Sequence, residues 1–490
     1  MGWIGKAIDA LVTEVAPDAG RRRVLARNAA KVAMNYDAAS RGRRTYGWKS
    51  PATDGDAAAL GARARLRQLS RDMIRNRPYA ARAREVVVSN VVGTGIVPSV
   101  VHDDPEMQAR IWAVLEQHLL TPPLDARGEL DLYAMQEVVM GTVFTDGEIL
   151  ARRRIRRGKY ARDLPLGFQI ELLEADHLDE TVTSWGENEV IEGVEYSPIG
   201  DIEAYHLFDE HPGAARMRGL RLKSRRVPWQ DVLHIRRLDR PGRLRGVPWL
   251  APVMMTLGEI SDYQEAQILK QKMAALMAAI VTTSGEGGAK DRLRGLEALE
   301  PGAIVGVPDG TSVNFTTPPR VDDYQPFMRE ALGAIAMGVG ITRESLTGDL
   351  SGVNFSSGRM GRMEMDRNVE RWQRMVIAQF CMGVGRWIGD AWPLQRVEPG
   401  EKLKLAHTAP RRPLIDPNDE IDAFLKQIEG GVNSRQNVQR TLGLDPERIR
   451  RERAEDAQKD ADERLPPTAA ANLPAARETR AKAKPGGAAQ

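Results

Sequence analysis

Apolar residues recur at helical spacing through much of the chain. Between Ala57 and Ser89, Leu66, Leu69, Met73 and Ile74 fall three to four residues apart with arginines between them, which predicts a helix. Asn76-Arg77-Pro78 predicts a break, because the residue before a proline is pushed out of the helical region. Val86-Val87-Val88 then leads into Asn90-Val91-Val92-Gly93-Thr94-Gly95, read as a helix passing into an extended segment with glycine turns. Asp104-Pro105 opens a further helix with Met107, Ile111, Leu115 and Leu119 on one face, and Pro122-Pro123 ends it. Asp131 is the expected N-cap of a helix running to about Thr142.

From about Thr145 to Arg237 the period shortens. Strand-like pieces at Glu148–Arg152, Gly167–Leu173, Val190–Tyr196, Ile202–Phe208 and Val232–Ile235 alternate with Gly, Pro and Asp turns. Pro248–Val281 reads as one long helix of about 45 Å, followed by a hairpin of Ala303–Val307 and Ser312–Thr316 around Asp309-Gly310. Tyr324–Met337 is helical, a glycine-rich stretch fills 338–358, and a strong helix runs on to about Gly389 with Met365, Val369, Trp372, Val376 and Phe380 inward. Glu370 and Arg374 form an i,i+4 pair on its polar side. Two short helices follow Pro413–Asn418, at Asp419–Glu429 and from near Ser434. Beyond about Ile449 the composition is too polar to predict order. The pattern is that of an α+β protein.

Composition narrows the class. The 490 residues are 42% hydrophobic and 28% charged, ordinary globular values, and the length suggests about three domains. No apolar run approaches the ~18 residues of a membrane span, and the mean hydropathy is −0.40. The N-terminus lacks the apolar stretch of a secretory signal. A single cysteine, Cys381, excludes an internal disulfide and a Cys-based zinc site. Seventy basic and 67 acidic residues leave a net charge of +3, little for a protein that grips DNA by neutralising phosphates. Residues 1–56 form a basic arm marked by Arg21-Arg22-Arg23, Arg41, Arg43 and Arg44.

Few motifs carry chemistry. Gly93-Thr94-Gly95 lacks the third glycine of a dinucleotide fingerprint, and no P-loop, zincin or nucleophile-elbow motif occurs. His102-Asp103-Asp104 reads as a polar loop before a helix. Glu174, Asp176 and His177, with Asp179 and Glu180 beside them, admit a metal-dependent nuclease site or, more simply, a surface turn or salt-bridge patch. Met360, Met363 and Met365 read as core packing. The 338–358 stretch has one Arg, two acids and no Lys, which suits a flexible loop facing a cavity or channel better than a nucleotide site.

The order of these passages resembles the lambda-type family of tailed-phage portal proteins over roughly residues 20–450. The resemblance rests on Arg71 to Ala80 leading to Asn90-Val91-Val92-Gly93-Thr94-Gly95, on Glu174-Ala175-Asp176-His177-Leu178, and on Val227-Pro228-Trp229 through Ile235. It continues through Arg245-Gly246-Val247-Pro248-Trp249 to Val253, and through Gly338-Val339-Gly340-Ile341 to Asn354-Phe355-Ser356-Ser357.

The resemblance implies a portal fold assembling into a ring, expected to be a dodecamer, at one capsid vertex of a virion put together in the host bacterial cytoplasm. Double-stranded DNA would pass through its channel. The terminase large subunit, the major capsid protein and a head–tail connector or adaptor protein would be partners, with no cofactor, metal or membrane. It further implies a wing (57–128 and 282–337), stem helices (129–144 and 238–281), a clip (145–237), a tunnel loop (338–358), a long channel-side helix with its return (359–410), crown helices (411–448) and a disordered tail (449–490). Candidate tunnel-loop residues are Thr342, Arg343, Glu344, Thr347, Gly348, Asp349, Ser351, Asn354, Ser356 and Ser357. The basic run Arg152, Arg153, Arg154, Arg156 and Arg157 falls at the clip edge, expected to contact terminase or a neighbouring subunit. The competing readings are the nuclease and another structural adaptor of a phage-like particle, such as the portal of a gene-transfer agent.

Overall fold

In the computed structural model the described residues are 52–215, 223–275, 279–283, 311–315, 324–392, 403–410 and 416–462, with scattered positions between 12 and 47. The chain divides into two compact units, Met1–Ala58 and Ala59–Gln490, rather than three. Most of the basic arm lies outside the described residues.

The second unit begins with α1 (Arg63–Asn76) and α2 (Pro78–Val91), separated as expected at Arg77, whose backbone is extended. Strand β1 (Val97–Val101) follows, then α3 (Pro105–Leu119) and α4 (Leu132–Asp146). Asp104 caps α3 by accepting from Glu106 N at 2.9 Å, and Asp131 caps α4 by accepting from Ala134 N at 2.8 Å. These side chains satisfy amide donors that a helix start otherwise leaves orphaned.

Two antiparallel sheets come next. β2 (Glu148–Ile155), β3 (Phe168–Glu174) and β9 (Val232–Arg236) form a three-stranded sheet ordered β3-β2-β9. Between β3 and β9 the chain makes a five-stranded meander: β4 (Ser184–Trp185), β5 (Asn188–Ile191), β6 (Val194–Tyr196), β7 (Ile202–Phe208) and β8 (Ser224–Pro228). Because side chains alternate along a strand, β2 serves two cores. Ile149 and Ala151 join the main core, while Leu150 joins a second cluster with Leu173, Tyr205, Leu207 and Val227.

Helix α5 (Met254–Ala275) is shorter than the predicted Pro248–Val281. Its expected first turns are held instead in the core, where Trp249 is buried and its backbone N–H donates to Phe144 O at 3.1 Å. Its expected end is β10 (Ala279–Thr283), a run whose Ile, Val and Thr residues suit a strand. β10 pairs with β11 (Thr311–Phe315), so β11's observed partner differs from the predicted Ala303–Val307, which lies outside the described residues.

The chain continues with α6 (Tyr324–Val339), the short α7 (Arg343–Thr347) and α8 (Phe355–Val376). A π-turn at Ile377–Cys381 joins α8 to α9 (Met382–Ala391), so the strong helix predicted to end at Gly389 is interrupted once. β12 (Lys404–Thr408) returns to pair with β1. The last elements are α10 (Pro417–Glu429), α11 (Arg435–Thr441) and α12 (Pro446–Asp462). Helix α12 replaces the expected disorder up to Asp462. Its helix-forming Arg, Glu and Ala residues carry it, with Arg448–Glu452 and Arg450–Glu447 pairs one turn apart.

One core connects most of these elements. Helix α4 is buried along most of its length, with Leu132, Met135, Val139, Met140, Val143 and Phe144 in the core. Phe144 on it touches Trp249, and Trp249 touches Trp372 of α8, with ring centroids 5.7 and 5.1 Å apart. Residues of the expected wing, stem and clip segments share this core. The expected stem helix 129–144 is a core helix, and the expected clip contributes Phe168, Ile170, Leu233 and Ile235 to the same core.

Candidate functional site

The glycine-rich stretch is more ordered than a long loop. Gly338 and Val339 finish α6, and Gly340 turns the chain at φ +91°. Thr342 then caps α7, its Oγ1 accepting from Ser345 N at 3.1 Å, and Gly348 ends that helix at φ +71°. Asn354 caps α8 by accepting from Ser357 N at 2.8 Å, which places Ser356 and Ser357 in the first turn of α8. Two capping residues inside a small-residue stretch are what local pattern reading missed. The connection between the helices is 348–354.

That connection is anchored at both ends. Leu346 is buried, Thr347 Oγ1 donates to Arg343 O at 2.9 Å, and Arg343 pairs with Glu344 at 2.9 Å. Asp349 Oδ1 accepts from Ser351 N at 2.9 Å and from Ser351 Oγ at 2.5 Å. Those bonds hold the Asp349 carboxyl below the usual range. Leu350 stands exposed at the tip. Beneath it lies a cavity of about 420 Å³ lined by Thr342, Glu344, Gly348, Val353, Ser357 and Arg362, among others. Arg362 is held there by Asp366 at 3.2 Å and by Asn90 Oδ1 at 3.0 Å.

The basic run on β2 does not form one patch. Strand alternation sends Arg152 and Arg154 to the face of Leu150, and Arg153 to the face of Ile149 and Ala151. Arg152 lies 3.6 Å from Asp209, and Arg154 lies 3.1 Å from Glu171. Arg153 pairs with Asp231 at 2.7 Å and with Asp390 at 2.8 Å, and stands over the Trp387 ring. Arg156 donates to Gln169 Oε1 at 2.6 Å. Within the chain the first three arginines pair with acids on neighbouring segments, and Arg157 is the exposed member of the run.

The acidic cluster is likewise neutralised from within. One oxygen each of Glu174 and Asp176 and a nitrogen of His211 come close enough together to suggest a cation site. Arg71 Nη2 already stands there, 2.6 Å from Asp176 and 3.0 Å from Glu174, and Arg67 reaches Asp176 at 3.3 Å. Against the upward push of burial, Arg67 and Arg71 hold the Asp176 carboxyl below its ordinary range. Asp179 accepts from Thr181 and Ser224, and Glu180 lies 3.5 Å from Arg245. His177 Nδ1 bonds the carbonyl of Phe208. The Arg71 guanidinium stands where a divalent ion would need to sit, so this geometry does not favour the nuclease reading.

The cluster belongs to a larger buried network that sequence reading did not assemble. Arg63, Arg67 and Arg71 are four residues apart on α1 and present one basic stripe. Arg63 pairs with Glu192, and Arg71 also clasps Asp146. Glu148, fully buried, accepts from Arg245 Nε at 2.9 Å and from Gly246 N at 2.7 Å, and bonds His234 Nε2 at 2.9 Å. Burial pushes the Glu148 carboxyl up, but Arg245 and His234 outweigh it and hold it well below the usual range. The network forms because the chain crosses itself closely at two glycines. A Cβ on Gly147, at φ +91°, would strike the backbone of Val247, and one on Gly246 would strike Gly147. The i,i+4,i+8 arginines were the one local signal of this network.

Comparison with known proteins places these elements in a family. A probable portal protein of Halomonas phage phiHAP-1 is 25% identical over 440 residues, covering 83% of each chain. Among solved structures, a chain in the neck of a native gene transfer agent particle computed with C12 symmetry is similar at a TM-score of 0.48. It is 13% identical, and the alignment covers 78% of this chain and 94% of that one. An HK97 family phage portal protein from Corynebacterium diphtheriae gives a TM-score of 0.33 at 11% identity, with 73% and 98% covered. The family model for phage portal proteins of the lambda family matches residues 41–373, a span running from the end of the basic arm through α1, both sheets and most of α8. With that much of its length matched, the chain belongs to the lambda family of phage portal proteins.

Proposed function

We propose that the protein forms a ring, twelve-membered by expectation, at one vertex of a phage-like capsid and passes double-stranded DNA through its axis. The family match over residues 41–373 carries this reading. The ring is a conduit with no catalytic activity of its own. The terminase large subunit, the major capsid protein and a head–tail connector dock on it, and it assembles in the host bacterial cytoplasm before joining the virion.

The 348–354 connection is the tunnel-loop element in this reading. Its composition supports the role: small and polar residues, an exposed Leu350, and no lysine between 338 and 358. A channel that let phosphates bind tightly would stall the DNA it conducts. The capped helices α7 and α8 hold the base of the loop while its tip stays accessible. For terminase or neighbouring-subunit contact, the candidate is the arginine run at its outer end, where β2 passes into the β2–β3 connection. There Ile155, Arg157 and Tyr160 are exposed and Lys159 lies over the Tyr160 ring.

Deleting Asp349–Gly352 keeps both caps and shortens only the tip. The expected outcome is unchanged assembly with at least tenfold fewer DNA-filled particles, scored by nuclease-protected DNA per capsid. Full DNA retention would remove 348–354 from the channel, and loss of assembly would make it a subunit contact.

A further inference from the structure

Two helices of this chain carry exposed faces that complement each other. Helix α5 exposes Met255, Glu259, Asp262, Glu265 and Leu269, with Ala266 and Ile268 alongside. Between Met254 and Leu269 it has three acidic residues and no basic one. Helix α8 exposes Met360, Met363, Arg367, Arg371 and Arg374, with Glu364 and Glu370 exposed beside them and Glu364 3.6 Å from Arg367, and Ala378 continues the face beyond it. Leu269 and Met363 are 60% and 56% exposed, and Met255, Ile268 and Met360 are also exposed on these two helices. The expectation that Met360 and Met363 are core residues is therefore corrected; only Met365 of that group is buried.

The spacings match when the helices run antiparallel. From Leu269 back to Met255 is 14 residues, about 21 Å, and from Met363 on to Ala378 is 15 residues, about 22 Å. With Leu269 against Met363, Glu265 falls opposite Arg367, Asp262 opposite Arg371, Glu259 opposite Arg374 and Met255 opposite Ala378. The steps of three and four residues on both helices are those that keep a seam facing a partner.

We propose that α5 of one subunit lies antiparallel along α8 of the next, in this register. The inference rests on the ring reading above and names the contact that closes the ring. The occupant of the α8 face is a second copy of this chain, because the acidic, apolar-ended face that complements it is on the same chain. Two different faces meeting make a heterologous contact, and such a contact repeats around a ring rather than stopping at a dimer.

The test uses two single-cysteine variants of the full chain, Leu269→Cys and Met363→Cys, with tags of different length. The native Cys381 is buried. Co-assembled and mildly oxidised, the mixture is expected to yield a cross-linked pair containing one chain of each kind, while either variant alone yields none. In parallel, Glu259→Lys, Asp262→Lys and Glu265→Lys together should abolish rings, and adding Arg367→Glu, Arg371→Glu and Arg374→Glu should restore them. Circular dichroism confirms that each variant is folded. Wild-type rings without the mixed cross-link, or rings indifferent to the acidic reversal, overturn the contact but leave the portal reading standing. An arginine reversal that spares rings and loses DNA retention assigns the α8 face to DNA instead. Absence of wild-type rings counts against the portal reading itself.

Discussion

Replacing Glu148 with Gln is expected to destabilise the protein by about 3–5 kcal/mol, because it removes the carboxylate from a buried ion pair and leaves the Arg245 charge to the weaker, partly exposed Glu180 3.5 Å away. Arg245, with no exposed surface, would keep its charge while losing the carboxylate 2.9 Å from its Nε. Arg67, 4.0 Å away, and His234 lose the same partner. Equilibrium urea unfolding measures the change. The double variant Glu148→Leu with Arg245→Met is expected to cost less than the sum of its two singles by at least about 1 kcal/mol, as coupled residues do. Strict additivity would mean that the pair does not hold the crossing at Gly147 and Gly246. The sign in pH follows from the same carboxylate. Its folded pKa is depressed, so its contribution is complete above the ordinary Glu range and is lost as pH falls below it.

His118 should make the protein acid-sensitive at milder pH. It is buried on α3 with its ring edge-on to Phe168, centroids 4.8 Å apart, and neither ring nitrogen has a hydrogen-bond partner among the described residues. Burial alone pushes its pKa down to about 4, from 6.5. The folded state therefore refuses a proton that the unfolded chain accepts. Stability from this group is unaffected above pH 6.5, falls as pH drops from there toward 4, and then levels off. At pH 5 the loss is about 2 kcal/mol. His118→Leu should shrink the difference in unfolding free energy between neutral and acidic buffer by that amount. An unchanged difference would move the acid sensitivity elsewhere. His234, also pushed down to about 4 by burial and by Arg236, would supply the remainder.

Local features of the fold were legible in the sequence and long-range ones were not. The caps at Asp104 and Asp131, the break at Arg77-Pro78 and the inward face of Met365, Val369, Trp372 and Val376 all follow from residues within a few positions of each other. Strand positions in 145–237 were readable by alternation, yet alternation also divides Arg152 and Arg154 from Arg153, and reading the run as one patch overlooked that. The buried network depends on partners far apart in sequence: Arg63 with Glu192, Arg71 with Asp146 and Asp176, Arg245 with Glu148. No local pattern tells a surface arginine from one awaiting such a partner. The end of α5 was misread for a related reason, since Ala-rich chain passing into Ile280-Val281-Thr282-Thr283 has no break signal, and pairing with β11 decides it. In the glycine-rich stretch, composition pointed to a loop while single capping side chains, Thr342 and Asn354, set the structure.

A conduit for DNA requires a closed ring with an open axis. Electron microscopy of the purified full-length protein, with its rotational symmetry determined from averaged end-on views, tests it most directly. The expected result is a single closed ring of about a dozen subunits whose central opening admits a DNA duplex. A protein that remains monomeric or dimeric under conditions where it is folded, or a ring whose axis is sealed, would contradict it.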